Sequence, residues 1–445
     1  MATGESPSAT SAATKAPPSA SARTMQRRVV SAASVGQFIE FYDFAIYGLA
    51  AVAIADAFFP SSSGTLGLLS ALAVYGVAFV ARPLGGLYFG SLGDRIGRKA
   101  VLTISLTLIG AATTVMGLLP GYDQIGVLAP TLLVALRLLQ GFSAGGEAIG
   151  APSFVLEHAP RDKRGGWITI AIAMSATPSV VAGVFYVVLD MAMSDAAYSS
   201  WGWRIPFLAA APMTAIGIYI RRRTEESPVF EALKSRSVHV TNPVRATLRN
   251  DWVRMLQVFC VMSLSALGFY FLVGYFVSYL ETTADLSRGQ SLIATSTALI
   301  AFTIMLPLGG RISDRLGRRT MLRVGAVGML VVAVPSFALV SSGHLGAATL
   351  GQILLAVPLC FYGGGSYTFF VELFPAATRL SGAAISYNVA FALFGGAAPF
   401  AATALVSATD LAMSPALLVV LTGVIAFAAS LGVPETAGRD LLEEA

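Results

Sequence analysis

The chain has 445 residues, of which 55% are hydrophobic and only 12% charged, and its mean hydropathy is +0.72. Soluble domains carry about 25% charged residues, so a chain with half that share cannot turn its whole surface to water. This excludes an ordinary soluble enzyme and the disordered and fibrous classes, and it leaves lipid as the partner of the apolar residues. The formal net charge of +5 would suggest nucleic acid in a soluble protein, but in a membrane protein it follows from where the loops lie, so no nucleic-acid partner is expected. Two cysteines, Cys260 and Cys360, are too few for a disulfide framework or a Cys-rich metal site.

Residues 1–28 are rich in Ser, Ala and Thr and lack an apolar core, which reads as a disordered cytoplasmic tail and not a signal peptide. After it, runs of the ~20 apolar residues needed to cross a bilayer recur near 30–56, 66–90, 100–119, 127–156, 166–190, 204–220, 255–280, 289–310, 320–341, 346–371, 381–407 and 414–433. The pattern predicts an all-α membrane protein with twelve transmembrane helices in two six-helix bundles. The bundles span 29–221 and 254–434, separated by a cytoplasmic central loop at 222–253 and followed by a cytoplasmic tail at 435–445. Of the 29 Lys and Arg, 25 fall in the N-terminal tail or after even-numbered runs, including Arg221 in the central loop. Only Arg204 and Arg288 fall on the other side. Basic loops stay inside, so both termini are expected in the cytoplasm and the protein in the plasma membrane.

The loops repeat. Gly90–Leu102 reads GSLGDRIGRKAVL and Gly310–Leu322 reads GRISDRLGRRTML. Glu157, Pro160 and Arg164 recur as Glu372, Pro375 and Arg379, and Glu226-Ser227-Pro228 is echoed by Pro434-Glu435-Thr436. Repeats six spans apart predict two bundles related by an axis along the membrane normal, with a site between them near the midplane. Gly90 and Gly93 permit close helix approach, and Asp94 suits the free amides of a helix N-terminus. Asp94, Arg95, Arg98 and Glu157, with Asp314, Arg315, Arg318 and Glu372, are read as a cytoplasmic gate. In it Glu157 and Glu372 meet Arg95 and Arg315 when that side is closed.

Through these repeated loops, residues 27–440 resemble the major facilitator superfamily. Within it, GQFIEFYDFAIYG (Gly36–Gly48), FFP (Phe58–Pro60), ARPLGG (Ala81–Gly86), LRLLQGFSAGGE (Leu136–Glu147) and WGWRIPF (Trp201–Phe207) resemble the metabolite:proton symporter family. The resemblance implies import of a metabolite with protons, across carriers of 2-oxoglutarate, citrate, shikimate, proline and betaine. Gln37 and Phe41 stand where Asn and Trp are usual, and Ala148-Ile149 follow Glu147 where an aromatic or Gly is common, which leaves the substrate subgroup open.

Ionisable residues inside spans are costly and mark function. Here they are Glu40 and Asp43 in run 1, Arg82 in run 2, and Arg137 and Glu147 in run 4. Glu40, Asp43 and Tyr47 share a helix face, as do Arg137, Gln140 and Glu147. Asp43 is read as the proton carrier, alternating between a protonated form and an ion pair with Arg137; the resemblance supports this, since related carriers set an acid on helix 1 opposite an Arg on helix 4. Arg137 or Arg82 can hold a substrate carboxylate bidentately, and Tyr47, Gln140, Tyr387 and Asn388 are read as further substrate contacts. Glu147 with Arg82 and Glu40 is read as a second coupling pair or a structural lock. The competing reading is that all five charges form a fixed network that sets packing. Phe269, Tyr270, Tyr275, Tyr362 and Tyr367 line the second half.

No HExxH, phosphate-loop or paired-Cys motif occurs, so no metal, cofactor or enzymatic activity is expected. The resulting expectation is a monomeric proton-coupled symporter importing a small organic acid by alternating access, with substrate, protons and lipid as partners. The rivals are a proline/betaine-type osmolyte symporter, which the short segment after run 12 disfavours, and an exporter of a small metabolite.

Overall fold

The computed structural model describes residues 20–60, 64–236 and 243–442, and every regular element among them is helical. The long helices, in chain order, are α1 (Ala20–Leu49), α2 (Gly64–Ile96), α3 (Arg98–Leu118), α4 (Leu128–His158), α5 (Arg164–Ala192), α6 (Gly202–Arg222), α7 (Trp252–Thr282), α8 (Arg288–Leu316), α9 (Arg318–Val340), α10 (Leu345–Glu372), α11 (Arg379–Thr409) and α12 (Ala416–Gly432). Eleven are long and apolar enough to cross a membrane, and α12 is a shorter apolar helix of 17 residues. The twelve apolar runs and the twelve helices correspond one to one. Exposed Val80, Leu84 and Tyr88 recur every four residues on α2, which places them on one outward stripe of a helix.

Several boundaries differ from the sequence reading. The first helix begins at Ala20, so residues 20–28 of the expected disordered tail are helical. Met25 packs on the core and Val29 is buried, which holds this turn of helix in place; residues 1–19 lie outside the described residues. Helix α1 ends at a break at Ala50, after which Ala51–Phe58 forms a separate short helix. The segment between α6 and α7 contains two short helices, Pro228–Ser235 and Pro243–Asn250. The first is capped by Ser227, whose hydroxyl accepts from the Phe230 amide at 3.1 Å. Arg221, counted among the loop bases, is a buried residue in the last turn of α6.

Helices α2 and α4 meet backbone to backbone through glycine. A Cβ on Gly85 would strike the Phe142 carbonyl, one on Gly141 the Ala78 carbonyl, and one on Gly145 the Arg82 carbonyl and the Gly86 amide. This contact sets Arg82 and Arg137 beside α1. The bundles meet along two seams, α2 against α11 and α8 against α5. At the first, a Cβ on Gly90 would lie 2.9 Å from the Leu380 carbonyl oxygen. At the second, a Cβ on Gly310 would strike Thr169 and the Gly165 carbonyl. Helix α7 carries a π-helical segment at Phe271–Tyr275 and α11 one at Phe391–Gly396; such segments often mark functional positions.

Gly145→Ala should lower stability by about 1–3 kcal/mol, because the obstructing atoms are backbone. Gly183→Ala, which has nothing within 4 Å of its Cβ position, should leave stability unchanged or slightly raised. Thermal unfolding of the two variants in detergent compares them; equal midpoints would contradict the close α2–α4 packing.

Candidate functional site

Helix α1 presents Glu40 and Asp43 to the interior, both fully buried. Asp43 Oδ2 lies 3.0 Å from Arg137 Nη1 of α4. Its other oxygen accepts from the Thr113 hydroxyl of α3 at 2.9 Å and from the Gln140 side-chain amide. Gln140 in turn accepts from Arg137 Nη1 at 2.9 Å. The Arg137 guanidinium lies against three rings, 4.3 Å from the centroid of Tyr47, 5.1 Å from Phe44 and 5.3 Å from Tyr75, a cation–π setting. Tyr47 donates its hydroxyl to the Ala71 carbonyl at 3.0 Å, so its ring and not its hydroxyl faces the guanidinium. Arg137 Nε and Nη2 are buried and have no hydrogen-bond partner among the described residues. Sequence spacing pointed to Asp43, Arg137, Gln140 and Tyr47 but missed Thr113, Phe44 and Tyr75, which look like ordinary residues of apolar runs.

A second ion pair of the first bundle reaches the other bundle through Asn388. Arg82 Nη2 lies 2.6 Å from Glu40 Oε1, and Arg82 Nε donates to Asn388 Oδ1 of α11 at 3.2 Å. Asn388 donates to the Ala384 carbonyl at 2.9 Å and to the Gly145 carbonyl of the first bundle at 3.1 Å. Glu40 Oε2 has no partner among the described residues. Tyr387 stacks on Phe391 at 4.0 Å, and the Arg82 guanidinium lies 6.0 Å from the Phe391 centroid. Across the same layer Phe41 meets Phe269 edge-on at 5.3 Å and Phe79 meets Tyr270 at 5.5 Å. The structure therefore brings Asn388 onto Arg82, Tyr387 beside it through Phe391, and Phe269 and Tyr270 onto rings of the first bundle. Tyr362 instead donates to the Val261 carbonyl at 2.6 Å, and Tyr275 stacks on Phe271 and Tyr279, all within the second bundle.

Glu147 does not join Arg82 and Glu40. It pairs with Arg221 of α6 and accepts from the Ser105 hydroxyl at 2.9 Å, while Arg221 also donates to the Leu102 carbonyl. Gly36 leaves the room for this pair, since a Cβ there would strike both side chains. Glu147 lies seven residues beyond Gln140, roughly 10 Å along the helix, and so reaches α6. The partner was missed because Arg221 heads the triplet Arg221–Arg223 and reads as loop.

The basic end is closed by the repeated loops. Asp94 accepts from the Leu380 and Ser381 amides at 3.3 and 3.0 Å and from the Ser381 hydroxyl at 2.8 Å. Asp314 accepts from the Gly165 and Gly166 amides at 2.7 and 2.8 Å. Each aspartate thus sits at the N-terminus of a helix of the opposite bundle. Glu226 and Glu435 repeat the device within each bundle, on the first amides of α3 and α9. Glu157 takes Arg98 at 3.2 Å, Arg379 of the second bundle, and the Ser227 hydroxyl. Glu372 takes Arg318 at 3.0 Å through both oxygens and the Thr436 hydroxyl at 2.7 Å. The expected pairing of Glu157 and Glu372 with Arg95 and Arg315 is therefore replaced by pairing with Arg98 and Arg318. The turns at Gly97 and Gly317, with φ of +109° and +89°, swing Arg98 and Arg318 inward, whereas Arg95 and Arg315 are exposed.

Residues 33–399 match the sequence model of the Major Facilitator Superfamily. The chain belongs to that superfamily. It is 34% identical over 427 residues to the glycine betaine/proline/ectoine/pipecolic acid transporter OusA of Dickeya dadantii, covering 93% of this chain and 84% of that one. It is 33% identical over 381 residues to the citrate-proton symporter of Salmonella typhi, covering 85% and 87%. Among solved structures it aligns with the proton:xylose symporter XylE bound to 6-bromo-6-deoxy-D-glucose, with a TM-score of 0.74 and 16% identity over 94% of this chain and 98% of that chain; at that identity the likeness is one of fold. As a superfamily member the chain is a membrane transporter and not an enzyme.

In this transporter Arg221→Ala leaves Glu147 buried without a counter-ion and should cost about 3–5 kcal/mol. Arg221→Met combined with Glu147→Gln should recover most of that loss. Thermal unfolding in detergent reads the difference; a double variant as unstable as Arg221→Ala would contradict the pairing.

Proposed function

We propose that the protein is a proton-coupled symporter that imports a small organic acid across the plasma membrane, working as a monomer with its basic end in the cytoplasm. The observation that carries this reading is the buried Asp43–Arg137 pair, in which Arg137 leaves one whole edge, Nε and Nη2, without a partner among the described residues. While Asp43 is ionised, the pair is neutral. Protonation removes the carboxylate charge and leaves the guanidinium uncompensated in apolar surroundings, where a substrate carboxylate can bind it bidentately. Proton and anion therefore favour each other's binding, which is the requirement for symport rather than exchange. Gln140 and Thr113 hold Asp43 in register. Tyr387 and Asn388 form the second-bundle side of the site, and Arg82 faces them from the first bundle with Glu40 as an accessory acid. Asp94, Arg98, Glu157, Asp314, Arg318 and Glu372 form the cytoplasmic gate, here closed, and Glu147 with Arg221 is a structural pair.

The names of the relatives support a carboxylate-bearing cargo, since citrate, proline and betaine all present one. A second reading, a zwitterionic osmolyte, is favoured by the name of the OusA relative and by the aromatic layer of Phe41, Phe79, Phe269 and Tyr270, whose ring faces suit a quaternary ammonium.

Uptake of labelled organic acids and betaines by a transporter-deficient host, with and without a protonophore, tests the proposal. Accumulation that collapses with the protonophore is expected for at least one carboxylate, and which one distinguishes the two readings. Gradient-independent uptake of all of them, or net efflux, would overturn it. Asp43→Asn should abolish accumulation while substrate exchange across the membrane persists; intact pH-dependent accumulation in that variant would remove Asp43 from the coupling role.

A further inference from the structure

A cavity of about 580 Å³ opens at the basic end of the α5–α8 seam. It is lined from the first bundle by Asp162, Lys163 and Trp167 and from the second by Arg311, Asp314 and Arg315. Lys163, Arg311 and Arg315 are exposed and none is engaged by another described side chain. Asp314 is already committed to Arg318 and to the Gly165 and Gly166 amides. Three bases therefore face Asp162 as the one uncommitted acid of the lining. Trp167 adds a half-buried indole, a ring that settles where apolar and polar surroundings meet.

The fold does not demand this cluster. The α2–α11 seam is the pseudo-symmetric copy, closed by Asp94 in the same manner as Asp314. At the repeat offsets, however, Arg311 is replaced there by Ser91, Lys163 by Thr378 and Trp167 by Gly382. Both seams keep the aspartate that ties the bundles together and the arginine after it, Arg95 or Arg315, but only the α5–α8 seam adds Arg311, Lys163 and the Trp167 indole.

We propose that this cavity binds a phosphate-bearing anion, either a lipid headgroup or a soluble phosphate, held by Arg311, Arg315 and Lys163. Guanidinium forks match phosphate oxygens bidentately, and the ring of Trp167 covers the less polar part of the ligand. Because Lys163 and Trp167 belong to one bundle and the two arginines to the other, the occupant bridges the seam. It favours the arrangement in which the basic end is closed.

The test titrates full-length protein and a Lys163→Thr/Arg311→Ser variant with phosphatidylglycerol micelles, phosphatidylcholine micelles and inorganic phosphate, following thermal stabilisation. The variant installs the residues of the other seam at two exposed positions, and equal response to phosphatidylcholine checks that it is folded. Losing two bases near a surface should weaken binding on the order of thirty-fold. A weakened phosphatidylglycerol midpoint identifies a headgroup site, and a weakened inorganic phosphate midpoint identifies a soluble-anion site. Either result supports the proposal. Unchanged midpoints for both probes, or a wild type that responds to neither, would overturn it.

Discussion

A guanidinium or a carboxylate inside a bundle of apolar helices has no water to solvate it, so each one must be met by an opposite charge or by a set of donors. Among the described residues six arginines are fully buried: Arg82, Arg98, Arg137, Arg221, Arg318 and Arg379. Each is paired with an acid on a different helix, and these pairs fix how the helices sit. Arg137 ties α4 to α1, Arg82 ties α2 to α1, Arg221 ties α6 to α4, and Arg379 ties the second bundle to the first through Glu157.

The pairs divide by how completely they are satisfied. At the basic end Arg318 is held by Glu372, Asp314 and Ser313 together, and Asp94 and Asp314 take two helix amides each. In the middle layer, among the described residues, Arg137 leaves Nε and Nη2 without a partner and Glu40 leaves Oε2. Arg221 and Arg379 leave only Nε. Buried polar atoms cost free energy when unpaired, so a cluster of them at the level where the bundles meet is where a polar solute can be received. The closed end is the fastening, and the unsatisfied middle layer is the proposed site.

Much of this was legible from residue type and spacing. Hydropathy alone marks the twelve helices, and the thirteen-residue repeat foretells that Asp94 and Asp314 perform one task. Asp43 and Arg137 stand out because charge is so rare inside the runs. The partners were less legible. Arg221 lies at the very end of its helix, where a run of three arginines reads as loop, although only the first is buried. Arg95 and Arg98 are indistinguishable by composition; the left-handed glycine between them decides which one turns inward. Thr113 and Asn388 are uncharged and distant in sequence from Asp43 and Arg82, so only tertiary packing brings them together.

The central claim is that Asp43 is the group that takes up the proton. Infrared difference spectroscopy of the purified transporter, recorded on adding substrate, reads this directly through the carbonyl stretch of a neutral carboxylic acid. That band is expected in the wild type and in Glu40→Gln, and it should vanish in Asp43→Asn. A band that persists in Asp43→Asn but is lost in Glu40→Gln would contradict the account and move the proton to the Arg82 pair.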